Sequence, residues 1–131
     1  MAVNLRASVR LRAKSRCEYC RLPDAADEWP FHVDHVITRQ HGGGDELENL
    51  CWSCSRCNLH KGTNLSRVES HAAEPVSLFQ PRVDRWEAHF RIEAGRIIGL
   101  TPTGRVTVRL LAMNTSNRVE LRQRLDELGE R

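Results

Sequence analysis

The alternation of apolar and polar positions divides this chain into short elements. From Asn4 to Lys14, NLRASVRLRAK sets Leu5, Val9 and Arg12 or Ala13 at helical spacing, which predicts a short basic amphipathic helix with Asn4 as its N-cap. FHVDHVI, starting at Phe31, is rich in β-branched residues and reads as a strand. A regular strand would put Phe31, Val33 and His35 on one face and His32, Asp34 and Val36 on the other. TRQHGGGDELE is a loop, because three successive glycines sit uneconomically in a helix or strand. ENLCW then reads as a second short strand, and CSRCNLHKG opens a helix that Gly62 caps or breaks.

Farther on the pattern loosens and then sharpens. SRVESHAAEPVS is polar and small and reads as a linker. PRVDRWEAHF carries Val83, Trp86 or Glu87 and Phe90 at helical spacing, with Arg82, Arg85 and His89 on the other face. RIEAGRIIGL alternates around Ala94-Gly95, a hairpin signal. Thr101-Pro102 supplies a cap and a first-turn proline for a helix through Asn114, with Val106, Leu110 and Met113 along one face. A last helix is expected from Asn117 to Leu128, its Leu121, Leu125 and Leu128 able to pack on the chain's own core or on another subunit. The class is therefore α+β.

Composition narrows the picture. With 131 residues the chain suits one domain, expected to divide into a core at 1–67 and an extension at 76–131 packed on it. Aromatics are only 5% and the mean hydropathy is −0.53, so the core is modest and a bound metal would be a welcome staple. The net charge of +3 comes mostly from arginine, a mild basic bias compatible with nucleic acid. No apolar run approaches the about 18 residues of a membrane span, and MAVNLRASVRLRAK has no signal-peptide core, so a soluble, cytoplasmic protein is expected.

Four of the five cysteines form two C-x-x-C pairs, Cys17/Cys20 and Cys54/Cys57, with 33 residues between them. That spacing predicts a closed, structural four-thiolate zinc site; Cys51 is left over as a small buried residue. The question is what else such a zinc scaffold would hold. Cleaving a phosphodiester needs an activated water, a general base and a cation to neutralise charge. The imidazole of His35 suits the base. Asp34 and the amide oxygen of Asn58 are hard ligands suited to magnesium or manganese. His60 is the rival of Asn58, but at about 100° per residue the two point some 200° apart and cannot both face one metal.

Cys17-x-x-Cys20, Val33-Asp34-His35, Gly42-Gly43, Asn49-Leu50 and Cys54-x-x-Cys57-Asn58-x-x-Lys61-Gly62 follow one another in an order that resembles the HNH endonucleases, in the branch with a zinc-bound treble-clef form of the ββα-metal fold. LFQPRVDRWEAHF and IIGLTPTGRVTVRLLAMN look like the C-terminal extension of a bacterial and phage subgroup of that family. The resemblance implies a metal-dependent endonuclease acting on DNA, with RNA left open. It makes His35 the general base, Asp34 a catalytic-metal ligand and Asn49 the residue that holds the loop so that His35 is correctly turned. The family often has histidine just after the last knuckle cysteine; Asn58 stands there instead, which suits magnesium or manganese better than zinc.

Arg39, Arg56, Lys61, Arg82 and Arg85 are candidate phosphate contacts, while His32 and His41 read as surface residues. Trp29, Trp52 and Trp86 are expected in the core of so aromatic-poor a chain. Two readings of other classes compete: a non-catalytic zinc-dependent nucleic-acid-binding module, which would bind tightly and salt-sensitively without cutting, and a redox or metal sensor built on the C-x-x-C pairs.

Overall fold

A computed structural model describes residues 4–69 and 74–129. Helices and two-stranded antiparallel sheets alternate, an α+β arrangement, and the chain separates into two compact units, Met1–Thr63 with Gln80–Val83, and Asn64–Phe79 with Asp84–Arg131. No helix of the described residues is long and apolar enough to cross a membrane.

The first unit begins with α1 (Leu5–Arg12). Val9 and Ala13 turn inward, as their spacing requires. Asn4 makes no side-chain capping bond, and the arginines of the helix, though exposed, also reach groups of the protein. Arg10 forms an ion pair with Asp24 at 2.7 Å, Arg6 lies 4.6 Å over the Trp52 ring, and Arg12 donates to the carbonyls of Leu47 and Leu50. Strands β1 (His32–His35) and β2 (Leu50–Ser53) pair antiparallel, with Asp34 opposite Cys51 and His35 opposite Leu50. Helix α2 (Ser55–Lys61) follows at once. Cys54 caps it by accepting from the Cys57 N–H through its sulfur.

The glycine-rich loop between the strands holds two 3₁₀ turns, Arg39–His41 and Leu47–Asn49. Gly42 adopts φ 89°, a left-handed conformation that favours glycine. Gly43 is required for space instead: a Cβ there would stand 1.7 Å from the Ile37 carbonyl oxygen.

In the second unit the polar stretch expected as a linker contributes strands, β3 (Ser66–Val68) and β4 (Pro75–Ser77), paired through Arg67 and Val76. Residues 70–73 of that stretch lie outside the described residues. The helix expected over PRVDRWEAHF shrinks to one turn, α3 (Trp86–His89). Arg85 before it is extended, Phe90 starts the next strand and Val83 is exposed, so the anticipated apolar row does not form. Strands β5 (Phe90–Glu93) and β6 (Arg96–Gly99) make the expected hairpin. Its turn residues Ala94 and Gly95 have φ 49° and 82°, the positive pair of a type I′ turn.

Helix α4 (Pro102–Leu110) opens as anticipated, the Thr101 hydroxyl accepting from the Gly104 N–H at 3.0 Å, and ends four residues earlier than expected. Helix α5 (Ser116–Glu127) buries Leu125 while Leu128 is exposed. Beside Leu125 the helix also buries Arg122, whose guanidinium donates to the carbonyls of Gly95 and Met113 and so ties helix, hairpin and chain together.

Candidate metal and nucleic-acid site

Cys17, Cys20, Cys54 and Cys57 are all buried, and their sulfurs lie within 4.8 Å of one another. The first knuckle turns through Arg21 at φ 66°, and its Cys20 N–H points at the Cys17 sulfur, 3.5 Å away. The second knuckle repeats the arrangement, Cys57 N–H to Cys54 sulfur at 3.4 Å. Across the cluster Cys20 and Cys54 sulfurs are 3.8 Å apart. A tetrahedron with zinc–sulfur bonds of about 2.3 Å has edges of about 3.8 Å, so the four cysteines could hold a structural metal and their geometry fits zinc. Burial pushes the Cys17 thiol up, and four thiolates crowded this closely would repel one another without a cation between them. Cys51 stands outside the group; its thiol, pushed up to about 12 by burial, lies 3.8 Å from the Tyr19 hydroxyl.

At the end of β1 the side chains of Asp34 and His35 go different ways. The Asp34 carboxyl is largely buried, and burial pushes its pKa up against the pull of the Lys61 ammonium. Its Oδ2 is buried with no hydrogen-bond partner among the described residues. An orphaned carboxylate oxygen is a costly feature unless something outside the chain completes it. His35 instead directs Nε2 to Asp45 Oδ1, 2.7 Å away, and Arg39 holds the same carboxylate at 2.9 and 2.8 Å.

Asn49, buried in the 3₁₀ turn that leads into β2, ties this corner together. Its Oδ1 accepts from Ile37 N–H at 2.9 Å, and its Nδ2 donates to the carbonyls of Ile37 and Gly44, both at 2.8 Å. Gly44 immediately precedes Asp45, so the loop segment carrying the partner of His35 is anchored to the segment just after His35.

Asn58 is half-buried on α2. Lys61, three residues on and on the same side of the helix, donates from Nζ to the Val36 carbonyl at 3.0 Å. That side therefore faces the end of β1, whereas Leu59 and His60 are exposed.

The candidate phosphate contacts are scattered. Lys61 is 2% exposed and turned inward, so it offers no surface charge. Arg39 is engaged by Asp45, and Arg82 forms an ion pair with Glu18 inside the first unit. Arg56 is half-buried and Arg85 exposed. Arg82 and Arg85 no longer share a helix with His89, whose Nδ1 meets the Thr101 hydroxyl at 2.6 Å. His41 is exposed; His32 is exposed too, with Nε2 3.1 Å from the Ser55 hydroxyl. Trp52 and Trp86 are buried, but Trp29 is 65% exposed, contrary to its expected place in the core; it lies in a polar turn whose N–H is held by Asp27 at 3.1 Å. Sequence reasoning passed over Asp45. Its position, directly after the glycine triplet and four residues before Asn49, was the available signal.

Residues 17–64 match the family model of the HNH endonuclease. No curated protein and no solved structure matches the chain. The matched segment runs from the first cysteine of the cluster past the end of α2 and contains Asp34, His35, Asp45, Asn49 and Asn58. Families of this kind are generally endonucleases, which points to work on nucleic acid. The chain carries an HNH endonuclease domain over residues 17–64, and its four gathered cysteines fit the zinc-bound form of that domain.

Proposed function

We propose that the chain is a metal-dependent endonuclease that hydrolyses DNA phosphodiester bonds, with His35 as general base and zinc held by Cys17, Cys20, Cys54 and Cys57 as a structural ion. The observation that carries the reading is Asp34 Oδ2, a buried carboxylate oxygen without a hydrogen-bond partner among the described residues, one position before an accessible imidazole. Asp34 and the amide oxygen of Asn58 are an all-oxygen donor pair of the kind that magnesium and manganese prefer. Asn58 suits the role better than His60 because it is half-buried on the side of α2 shared with Lys61, while His60 is exposed. A divalent cation there would neutralise charge on the scissile phosphate and the departing oxygen.

The chain's own groups supply the rest. His35 takes a proton from water as the water oxygen bonds to phosphorus and the 3′ oxygen leaves with the electrons of the broken bond. Asn49 ties Ile37, two residues after His35, to Gly44, the residue before Asp45. Lys61 lends positive charge beneath Asp34 and favours its ionised form.

The test is purified, zinc-loaded protein on supercoiled plasmid with magnesium or manganese. Nicking that needs the added cation and falls at least about 100-fold in a folded His35→Ala variant is expected. Undiminished nicking by that variant sinks the mechanism. Salt-sensitive DNA binding with no cutting under either cation would make the chain a binding module instead.

A further inference from the structure

We infer that Asp45 is a positioning residue that fixes the tautomer of His35, leaving Nδ1 as the atom that receives the proton of the attacking water. The inference rests on the nuclease reading above for its catalytic meaning, but its structural content stands on three contacts. His35 Nε2 lies 2.7 Å from Asp45 Oδ1. Arg39 lies 2.9 and 2.8 Å from the two oxygens of the same carboxylate. Asn49 anchors Gly44, the residue before Asp45, at 2.8 Å.

The chemistry follows from what each group can donate. Hydrogen bonds from His35 and Arg39 hold the Asp45 carboxyl below the usual carboxylate range, so at neutral pH it is ionised and only accepts. The short contact then requires a proton on Nε2. A neutral imidazole protonated at Nε2 has its lone pair on Nδ1, and that nitrogen becomes the base. When Nδ1 takes up a proton, the Asp45 carboxylate faces the imidazolium that forms, as the acid of a serine-protease triad does for its histidine.

Arg39 makes the arrangement selective. It claims both carboxylate oxygens, so the carboxylate cannot rotate away from His35 without losing one of those bonds. Asparagine at position 45 would give its single oxygen to Arg39 and turn its NH₂ toward His35, which calls for a lone pair on Nε2 and moves the proton to Nδ1. The same substitution that keeps size and polarity should therefore select the unproductive tautomer.

Long-range proton–nitrogen spectra of zinc-loaded protein labelled with nitrogen-15 histidine, taken at a pH where His35 is neutral, read the tautomer directly. The wild type should show His35 protonated at Nε2, and Asp45→Asn should shift it toward Nδ1. In plasmid nicking, Asp45→Asn and Asp45→Ala should lower kcat about 10- to 100-fold with KM within about twofold, because the residue orients the base and does not touch DNA. Asp45 is on the surface, so both variants should keep the wild-type zinc content and melting temperature. A wild-type His35 protonated at Nδ1, a tautomer unmoved by Asp45→Asn, or an unchanged kcat overturns the assignment. The spectroscopic arm needs no turnover. Failure of the nuclease reading, seen as undiminished nicking by His35→Ala, is thereby told apart from failure of this one.

Discussion

The side-chain amide of Asn49 closes a two-point ring with the backbone of Ile37, accepting from its N–H at 2.9 Å and donating to its carbonyl at 2.8 Å. The main-chain carbonyl of Asn49 meanwhile accepts from Val36 N–H at 2.9 Å. One residue thus extends the β1–β2 ladder past the point where regular pairing ends, and it does so beside the catalytic candidate.

Asn49→Ala removes all three side-chain bonds and leaves the partly buried N–H and carbonyl of Ile37 without these partners. The expected loss of stability is about 2–4 kcal/mol, measured by denaturant unfolding. Asn49→Asp keeps the acceptor for Ile37 N–H but sets an oxygen against two carbonyls, and should destabilise by a comparable amount. A change below about 0.5 kcal/mol for Asn49→Ala would show that the ring does not hold the loop.

Zinc content should be one ion per chain, and chelation should unfold the first unit, since the thiolate cluster joins the knuckle before β1 to the start of α2. The ion–protein bond energy in sites of this kind is on the order of 10 kcal/mol, so the transition should be large and reversed by added zinc. Cys17→Ser and Cys54→Ser should each lose the ion, whereas Cys51→Ala should retain it. Stoichiometric zinc in Cys17→Ser would place the ion elsewhere.

Alkali should weaken the fold through Cys51. Its thiol is held at about 12 in the folded chain by burial, against about 8.5 in an unfolded one. Above about pH 8.5 the unfolded state therefore binds fewer protons than the folded state, and stability falls as pH rises toward the folded value. The stability of Cys51→Ala, lower at pH 7 because of the cavity, should approach that of the wild type by up to about 1.4 kcal/mol per pH unit in this window. Urea unfolding at pH 7.5, 9 and 10 measures it; parallel curves for the two proteins would count against a buried thiol.

Much of the first unit was legible because its signals are local. Two C-x-x-C knuckles, a β-branched run and a glycine triplet each carry their own geometry, and β1, β2 and α2 follow from them. The hairpin at Ala94-Gly95 and the Thr101-Pro102 helix start were legible for the same reason. What escaped was set by distant partners. Lys61 reads as a surface cation, yet the Val36 carbonyl and the Asp34 carboxyl draw its ammonium inward. Arg82 reads as one of a basic helical row, yet Arg85 stays extended, the row never forms, and Arg82 meets Glu18 across 64 residues of sequence. Asp45 reads as one polar loop residue among several until the loop is folded against His35. Long-range pairing of charges leaves no periodicity to read.

That pairing of Arg82 with Glu18 bears on where the folded unit around the HNH match ends. Glu18 also accepts from the Trp52 N–H at 2.8 Å through its other carboxylate oxygen, and the Gln80–Val83 stretch that brings Arg82 is part of the first unit although 16 residues of the second separate it from Thr63. The family footprint at 17–64 is therefore shorter than the piece of polypeptide that folds. A fragment cut at Asn64 would carry every cysteine and every catalytic candidate, and would still lack the cation that neutralises an acid wedged between the first knuckle and β2.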